Sequence, residues 1–328
     1  MPVTEAFTLD SLRAFTAADM QRVNDVIENH LKSEVVLINQ LSQHIIHSGG
    51  KRIRPMLVML CAKACGYHAE KDALLAAIIE FIHTATLLHD DVVDESQMRR
   101  GEQTASSIWG NEAAVLVGDY LYSRAFQLMV QAESLPIMKL MADTTNTIAQ
   151  GEVLQLLNIN DPDTSEQRYH QVIYNKTACL FEAACKIGAI ITAADASVEQ
   201  ALGLFGKHLG IAFQLVDDAL DYEADSSELG KNVGDDLAEG KPTLPLIYAM
   251  QQGNQQQRSL IRSAIEQGGL DQIQQITQII NQTGALAYTH QQAIQHAEIA
   301  KQSISSLPDS AARQALLFLA DYAVERSY

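Results

Sequence analysis

Two short acidic clusters offer the clearest chemistry in this chain of 328 residues. They read DDVVD at Asp90–Asp94 and DDALD at Asp217–Asp221, so each has carboxylates at positions i, i+1 and i+4. On a helix, the side chains at i and i+4 lie on one face, about 6 Å apart, and like charges at that spacing repel each other. One such cluster is equally well explained as a solvated acidic face. Two of equal spacing predict carboxylate walls that face a shared cavity and hold Mg²⁺ with substrate phosphates.

Two basic groups accompany the acidic clusters. The sequence GGKRIRP places Lys51, Arg52 and Arg54 at the predicted start of a helix, and Arg99 and Arg100 follow the first cluster. Cations beside a helix N-terminus add to the positive end of its dipole and make an anion site. Guanidinium groups bind phosphate oxygens in bidentate fashion. Either group alone is explained as a surface charge run, but together with the acidic clusters they favour a site for a phosphate compound.

Two further polar residues share helix faces with the carboxylates. His83 precedes Asp90 by seven residues, nearly two helical turns, so both lie on the same predicted face. Gln214 precedes Asp217 by three residues and extends the stripe that continues to Asp221. Both side chains are therefore predicted to lie beside the metal positions.

Three lysines lie in two other segments. Lys176 and Thr177 interrupt an apolar stretch. A lysine that faces a core requires an anion, although a side chain that extends to the surface explains this position equally well. Lys231 and Lys241 lie in ADSSELGKNVGDDLAEGK, the longest predicted loop. Long loops are often functional lids, so these lysines could close over a diphosphate and its metals.

The composition argues against several partner classes. The chain has 23 Lys+Arg against 40 Asp+Glu, a formal charge of -17. That charge argues against nucleic acid and anionic membranes as non-specific partners. The four cysteines lie in apolar helical patterns, and no apolar signal segment opens the chain, so we expect free thiols and a cytoplasmic protein. No apolar run approaches the roughly 18 residues of a transmembrane helix.

Helices must position these groups, because the chain is predicted to be helical nearly throughout. Prolines lie near the ends of apolar-periodic segments, and alternating strand patterns are scarce. We expect one all-α domain over residues 1–328, a bundle of about ten or more helices around a central cavity, in which residues 1–33 have no assigned role. The predicted helices are 20–47, 52–65, 72–95, 110–131, 136–157, 165–194, 197–224, 243–252, 256–267, 271–282, 285–305 and 309–326.

Over roughly residues 40 to 325, the motifs resemble those of the trans-type (E-type) polyprenyl diphosphate synthases. The similarity includes GGKRIRP, DDVVD with RRG, GDYL at Gly118, KT at Lys176, FQLVDDALD and GKNVGDDLAEGKPT. Within the family, the sequence is most similar to bacterial octaprenyl diphosphate synthases. The resemblance implies an isoprenoid-synthase fold, a homodimer, and a Mg²⁺-dependent prenyltransferase. Such an enzyme condenses an allylic diphosphate with successive isopentenyl diphosphates to a long all-trans product, here octaprenyl (C40) for a quinone side chain.

The resemblance also implies roles for individual residues. Three Mg²⁺ ions per site would bridge the allylic diphosphate, held mainly by Asp90, Asp94 and Asp217, with further contributions from Asp91, Asp218 and Asp221. The same diphosphate would contact Arg99, Lys176, Thr177, Gln214, Lys231 and Lys241. The diphosphate of isopentenyl diphosphate would be bound by Lys51, Arg54, His83 and Arg100. The implied catalytic residues are Asp90, Asp91, Asp94, Lys176, Gln214 and Asp217, while Arg52 has no assigned partner.

Product length follows from residues below the first cluster. Thr86 and Ala85 precede Asp90 by four and five residues, about 7.5 Å of helix, or roughly one to two isoprene units. Small residues there would let the growing chain pass, whereas short-chain members of the family have bulky aromatics. A deeper floor of the tunnel could be formed by Phe126, Met129, Met138 and Met141. Flexible thioethers suit an apolar tunnel, although ordinary core packing explains these methionines as well.

Four other functions compete with this interpretation. A farnesyl or geranylgeranyl diphosphate synthase differs only in chain length. A terpene cyclase ionises the same diphosphates, but its second metal motif normally differs from the first, and its turnover does not depend on isopentenyl diphosphate. A non-catalytic partner subunit would have lost carboxylates, and none is missing here. A purely structural metal-binding protein leaves the basic groups unexplained.

Overall fold

The chain folds almost entirely into α-helices. A computed structural model describes residues 7–47, 50–99, 101–223 and 234–326. The helices are α1 (Leu9–Leu31), α2 (Val36–His47), α3 (Ile53–Ala64), α4 (Lys71–Val93), α5 (Ala105–Trp109), α6 (Asn111–Gln131), α7 (Leu135–Asn158), α8 (Glu166–Ile173), α9 (Cys179–Ile191), α10 (Ala196–Glu223), α11 (Asp235–Ala238), α12 (Leu244–Gln252), α13 (Gln255–Gln267), α14 (Ile273–Gln282), α15 (Ala285–Ser303) and α16 (Ala311–Glu325). A π-helical turn, Tyr174–Ala178, follows α8, and a 3-10 turn, Leu270–Gln272, precedes α14. The predicted all-α fold is confirmed.

The first predicted helix, 20–47, is two helices in the structure. Helix α1 begins at Leu9 because Thr8 and Ser11 form a reciprocal cap: the Thr8 hydroxyl accepts from the Ser11 N–H at 3.2 Å, and the Ser11 hydroxyl accepts from the Thr8 N–H at 2.7 Å. The chain then leaves the helix before α2, where the Asn39 side chain bonds both the N–H and the carbonyl of Ser33. Apolar residues continue across this break, so periodicity alone predicted a single helix.

Three smaller elements were not predicted. A short hairpin follows the first acidic cluster; its strands, β1 (Met98–Arg99) and β2 (Glu102–Gln103), are antiparallel. The short helix α5 comes next. Helix α11 lies inside the segment predicted as a long loop. Residues 224–233 of that loop lie outside the described residues.

An ion-pair network joins α1 to α3 and α4. The Arg22 guanidinium donates to both carboxylate oxygens of Asp72, at 2.9 and 3.1 Å, and to Asp19 at 3.2 Å. The Lys63 ammonium also donates to Asp19, and both aspartates are buried. Removing one partner of a buried pair is strongly destabilising. The N-terminal segment, which had no assigned role, therefore contains a helix that is anchored to the core.

Two compact units can be distinguished in the chain. The first comprises Met1–Thr145, Leu180–Leu204 and Ser303–Phe318, and the second comprises Asn146–Cys179, Phe205–Gln302 and Leu319–Tyr328. The acidic cluster at Asp90–Asp94 belongs to the first unit, and the cluster at Asp217–Asp221 belongs to the second. One domain with a central cavity stays a prediction.

Helix α4 forms the core of the first unit. It packs against α1, α3 and α6, and many of its apolar side chains are buried. By length and composition it is apolar enough to cross a membrane, but 67% of its most apolar window is buried inside the protein. A buried window of this kind is what the core helix of a globular protein has. In the second unit, α10 and α12 pack with α8, and α12, α13 and α14 enclose a further apolar cluster.

Three histidines pack together in the second unit. The Nδ1 atoms of His208 and His296 lie 2.8 Å apart, and the rings of His170 and His296 are stacked with centroids 6.2 Å apart. Burial, followed by the charges of His208, His170 and Lys207, lowers the pKa of His296 to about 4. The folded protein therefore holds His296 neutral at pH values where an unfolded histidine is protonated.

We expect this cluster to make the protein less stable in mild acid. An unfolded histidine has a pKa of about 6.5, so the unfolded state binds the proton first as the pH falls. The free energy of unfolding should decrease between about pH 6.5 and about pH 4, by about 1–2 kcal/mol after allowance for partial exposure. Denaturant unfolding of the wild type and of His296→Gln at pH 7 and pH 5 measures this. The variant should lose part of the decrease; an identical decrease in both proteins would contradict the prediction.

Candidate active site

The last turn of α4 divides the first acidic cluster into two kinds of carboxylate. Asp90 and Asp94 are half-buried, whereas Asp91 is buried and accepts from the Nε of Arg99 at 2.7 Å. Burial is the main cause that raises the pKa of Asp91; Asp90 and Asp94 add to it and Arg99 opposes it. The Asp94 N–H donates to the Asp90 carbonyl at 2.8 Å, so the helical turn that separates the i and i+4 residues is formed. The i+1 carboxylate is held by the protein itself.

The N-terminus of α3 brings two of the predicted isopentenyl diphosphate ligands together. Arg54 Nη1 lies 3.0 Å from His83 Nε2, and its guanidinium packs 4.4 Å above the ring of Phe181. An arginine only donates, so His83 Nε2 must be the acceptor and its proton lies on Nδ1. Lys51 lies exposed just before the helix. Arg100 lies outside the described residues.

Arg52, which had no assigned partner, fixes the start of the same helix. It is the N-cap of α3 with a left-handed φ of 49°, and its side chain donates to Glu80 of α4 at 2.9 Å. A non-glycine residue in this conformation is strained and persists only where its surroundings hold it. The Arg52–Glu80 pair therefore holds the backbone between Lys51 and Arg54.

On α10, the second cluster has a cation bound to its first carboxylate. Arg326 Nη1 lies 2.7 Å from Asp217, and the guanidinium also stacks 3.7 Å above the ring of Phe213. The Arg326 side chain is only 5% exposed, whereas Asp217 is 41% exposed. No motif predicted this contact of Arg326, because a single arginine without a motif gives no signal of a partner so distant in sequence.

The other two carboxylates of this cluster bind protein donors. Asp218 is buried and accepts from the Tyr169 hydroxyl and from the Gln214 amide, and burial, then Asp236, raises its pKa well above the ordinary value. Burial and the adjacent Asp218 also raise the pKa of Tyr169 well above its ordinary value, so the hydroxyl keeps its proton. The two oxygens of Asp221 accept the backbone N–H groups of residues 235 and 236, each at 3.2 Å. Asp221 therefore anchors the N-terminus of α11.

Lys176 and Thr177 lie in the π-helical turn Tyr174–Ala178. Such turns inside α-helical segments are rare and frequently occur at functional sites. Lys176 Nζ donates to Glu152 of α7 at 2.8 Å, and the Thr177 hydroxyl donates to Gln214 at 2.9 Å. The irregular turn therefore directs two predicted diphosphate ligands to acidic and amide partners, and Glu152 is a residue that sequence analysis missed.

The predicted lid lysines can be placed only in part. Lys241 Nζ lies 2.5 Å from Glu239, and its backbone N–H donates to the carbonyl of Asp236 at 2.8 Å. Lys231 lies outside the described residues.

The carboxylates fit a metal that arrives with a phosphate compound. Across the described ranges, no group of three or more His, Cys, Asp or Glu side chains converges closely enough to hold a metal ion alone. Mg²⁺ usually binds through one or two carboxylates and completes its shell with water and substrate phosphates. In the first unit Asp90 and Asp94 supply such oxygens, and in the second unit the guanidinium on Asp217 shows that this position accepts positive charge. Within each unit, the carboxylates suit a Mg²⁺ ion that arrives with a diphosphate rather than a preformed cage.

The six predicted tunnel residues all belong to the first unit. Ala85, Met129 and Met141 are buried, and Thr86, Phe126 and Met138 are half-buried. Helices α4 and α6, which contain four of these six residues, pack against each other. Burial of this kind agrees with a tunnel lining and with ordinary core packing, so the tunnel stays a prediction.

Comparisons with known proteins agree on one family. Residues 35–283 match the family described as Polyprenyl synthetase. The sequence is 52% identical to octaprenyl diphosphate synthase of Escherichia coli over 97% of this chain and 99% of that protein. It is 48% identical to the geranyl-diphosphate-specific all-trans-nonaprenyl-diphosphate synthase of Rhodobacter capsulatus, over 94% and 95% of the two chains. The structure of a polyprenyl synthase from Caulobacter crescentus, complexed with calcium and isoprenyl diphosphate, superposes with a TM-score of 0.94 at 42% identity, over 99% and 100% of the chains.

Proposed function

The chain belongs to the polyprenyl synthetase family, and we propose that it condenses an allylic diphosphate with successive isopentenyl diphosphates in a Mg²⁺-dependent reaction. The observation that carries this proposal is that both acidic clusters are complete, on helices, in a chain 52% identical to an octaprenyl diphosphate synthase. The family and the prenyltransferase class predicted from the motifs are thereby confirmed. A cyclase or a non-catalytic subunit has no observation in its favour.

The carboxylates divide the work of binding in this proposal. Asp90, Asp94 and Asp217 would hold Mg²⁺, three ions per site once the allylic diphosphate is bound. Bound Mg²⁺ supplies charge neutralisation for the departing diphosphate. Asp91, Asp218 and Asp221 each bind a protein donor, so their proposed contribution is to hold Arg99, Gln214 and α11 in place beside the proposed metal ligands of their own cluster. Their predicted role as direct metal ligands stays a prediction.

The cationic side chains would supply positive charge to phosphate. Arg99, Lys176 and Lys241 are paired with Asp91, Glu152 and Glu239. We propose that these cations bind the allylic diphosphate, which Thr177, Gln214 and Lys231 also contact. Lys51, Arg54, His83 and Arg100 would bind the diphosphate of isopentenyl diphosphate. The pairs of Lys176 and Lys241 are partly exposed and can exchange partners without a large cost, whereas Arg99 can keep Asp91 on its Nε and offer its other N–H groups to phosphate.

The chemical step requires only charge stabilisation and proximity from the protein. The allylic C–O bond breaks and leaves its electron pair on the diphosphate, and the double bond of isopentenyl diphosphate attacks the cation to form the new C–C bond. The carbocation formed by this attack then loses a proton and regains a double bond; the departed diphosphate accepts the proton, because no side-chain base is evident among the residues assigned to the site. The amide oxygen of Gln214 and the Lys176–Thr177 backbone would stabilise the passing cation.

We propose a long product, about eight isoprene units, that serves a quinone side chain. Small residues at Ala85 and Thr86 leave the path below Asp90 open in this proposal. Two relatives named above, an octaprenyl and a nonaprenyl diphosphate synthase, agree with a long chain. A cytoplasmic homodimer without a transmembrane segment is part of the same proposal.

The experiment that tests this function combines purified protein with Mg²⁺, farnesyl diphosphate and labelled isopentenyl diphosphate. We expect label in a ladder that ends near C40 on chromatography, and no incorporation when Mg²⁺ or either substrate is omitted. Product that forms without isopentenyl diphosphate would indicate a cyclase. No product under any combination would contradict the proposal.

Replacing Ala85 by Phe should shorten the product to about 15–20 carbons. Ala85 is 0% exposed. The phenylalanine ring must therefore either enter the proposed tunnel or displace side chains that already fill the core. Occupying an existing tunnel costs little stability, whereas overpacking a filled core costs about 1–3 kcal/mol. The product distribution and the thermal midpoint are measured together. An unchanged product distribution, whether or not the thermal midpoint falls, would reject this direction for the tunnel.

A further inference from the structure

A buried chain of hydrogen bonds in the second unit links α8 to the π-helical turn. The Tyr169 hydroxyl donates to Asp218 Oδ2 at 2.5 Å, and Asp218 Oδ1 accepts from the Gln214 amide nitrogen at 2.8 Å. The last bond in this series is donated by the Thr177 hydroxyl to the Gln214 amide oxygen, at 2.9 Å. Tyr169 and Asp218 are only 4% and 3% exposed. They have too little surface to contact a substrate, so any effect on the reaction must pass through Gln214.

This series of hydrogen bonds determines the orientation of the Gln214 amide group. The two orientations of an amide have nearly the same shape and differ only in where the donor and the acceptor lie. Because Asp218 presents an acceptor oxygen, Gln214 must direct its NH₂ group there and its oxygen towards Thr177. In the reversed orientation, two acceptor oxygens would face each other in a buried place, which is costly.

We propose that Tyr169 is a positioning residue that, by donating to Asp218, keeps the Gln214 amide oxygen on the Thr177 side, where it stabilises positive charge. This inference rests on the proposed function, in which an allylic cation forms beside Gln214 and Thr177. Without the Tyr169 hydroxyl, Asp218 Oδ2 loses this donor, and the carboxylate is free to rotate. Rotation removes the reason for Gln214 to keep one orientation.

Tyr169→Phe removes one oxygen atom and leaves the ring in place. We expect kcat to fall about 10- to 100-fold, because a group that acts in the ionisation step is misaligned. The KM values for both diphosphates should stay within about threefold, because no substrate contact is removed. A purely structural role predicts instead a lower thermal midpoint with unchanged kcat in the folded fraction.

Tyr288→Phe is the matched control. The Tyr288 hydroxyl also donates to a carboxylate of α8, Glu166 at 2.8 Å, but it has no link to Gln214. This variant should keep the wild-type kcat. An equal loss in Tyr288→Phe and Tyr169→Phe would overturn the proposal, because it would mean that any disturbance of α8 has the same effect.

A double-mutant cycle with Asp218→Asn tests whether Tyr169 acts through Asp218. If it does, adding Tyr169→Phe to Asp218→Asn should lower kcat by less than about threefold; independent actions would multiply. If Tyr169→Phe does not fold, Asp218→Asn, which conserves the size of the side chain, replaces it as the test variant. We then expect Asp218→Asn to lower kcat and to leave KM unchanged. Unchanged kcat in the folded Tyr169 variant, or multiplied effects, would overturn the inference.

Mn²⁺ binding tests the role of Tyr169 independently of turnover. Mn²⁺ binding in the presence of a non-reactive allylic diphosphate analogue should be retained within about threefold in Tyr169→Phe, since a positioning residue removes no metal ligand. Loss of Mn²⁺ binding would overturn the inference, because it would assign Asp218 to the metal instead. A wild-type protein that incorporates no isopentenyl diphosphate would contradict the proposed function and not the hydrogen-bond chain.

Discussion

Replacing Asp90 or Asp217 by asparagine should lower turnover by about 10³-fold or more, because each change removes a negative charge that, in the proposed function, holds Mg²⁺ at the departing diphosphate. Asparagine is preferable to alanine at Asp217 because it keeps an acceptor for the nearly buried guanidinium of Arg326. Truncation to alanine would leave that cation unpaired and confuse a loss of stability with a loss of catalysis. Steady-state turnover and thermal midpoint, measured on each variant, separate the two effects.

Asp143→Asn is the control for this prediction. Asp143 lies exposed on α7, where it pairs with Lys139 at 2.6 Å. Exposed pairs of this kind contribute about 0–1 kcal/mol, so the variant should retain nearly all turnover. Turnover near the wild-type value in Asp90→Asn or Asp217→Asn would mean that these carboxylates do not hold the metal.

Gly151→Ala should lower turnover about 10- to 100-fold by displacing the π-helical turn. A Cβ atom at Gly151 would lie 2.7 Å from Asn175 Cβ and 2.9 Å from the backbone nitrogen of Lys176. Neither neighbour is the free end of a flexible side chain, so α7 and the turn must move apart. The shift would misplace Lys176 and Thr177, and overpacking should also cost about 1–3 kcal/mol of stability.

Gly203→Ala provides the comparison for that variant. Its new Cβ would also be close to a neighbour, 2.4 Å from Lys186 Cε, but that atom belongs to a flexible side chain that can move away. Turnover and the thermal midpoint should therefore change little. Equal losses of turnover in the two glycine variants would show that the π-helical turn has no special role.

The sequence identified carboxylates with a spacing that suits metal binding, but not the residues that hold the neighbouring carboxylates. Helical spacing places Asp90 and Asp94 on one face, and the structure leaves this pair half-buried. The same spacing cannot identify the partner of the i+1 residue, because that partner comes from elsewhere in the fold. The partner of Asp218 is Tyr169, which lies 49 residues away in sequence. The partner of Asp91 is Arg99, which lies in a hairpin that apolar periodicity does not reveal.

The helices were largely predictable because each buries an apolar stripe. The exceptions have local causes. Side-chain bonds of Asn39 to the backbone of Ser33 mark the break before α2, and the reciprocal cap at Thr8 starts α1 in a segment without a recognised motif. Helix α7 approaches the π-helical turn closely at Gly151, and such packing cannot be predicted from local sequence patterns. Product length is the least predictable feature, since burial of Ala85 does not distinguish a tunnel wall from a filled core.

Calorimetric titration of Mg²⁺ tests most directly whether the carboxylates of both clusters hold the metal for diphosphate departure. The titration uses a farnesyl diphosphate analogue whose bridging oxygen is replaced by sulfur, so that the bound complex does not react. We expect Mg²⁺ and the analogue to strengthen each other's binding to the wild type, and either Asp90→Asn or Asp217→Asn to weaken Mg²⁺ binding at least about tenfold. Undiminished Mg²⁺ binding in either variant would contradict this assignment.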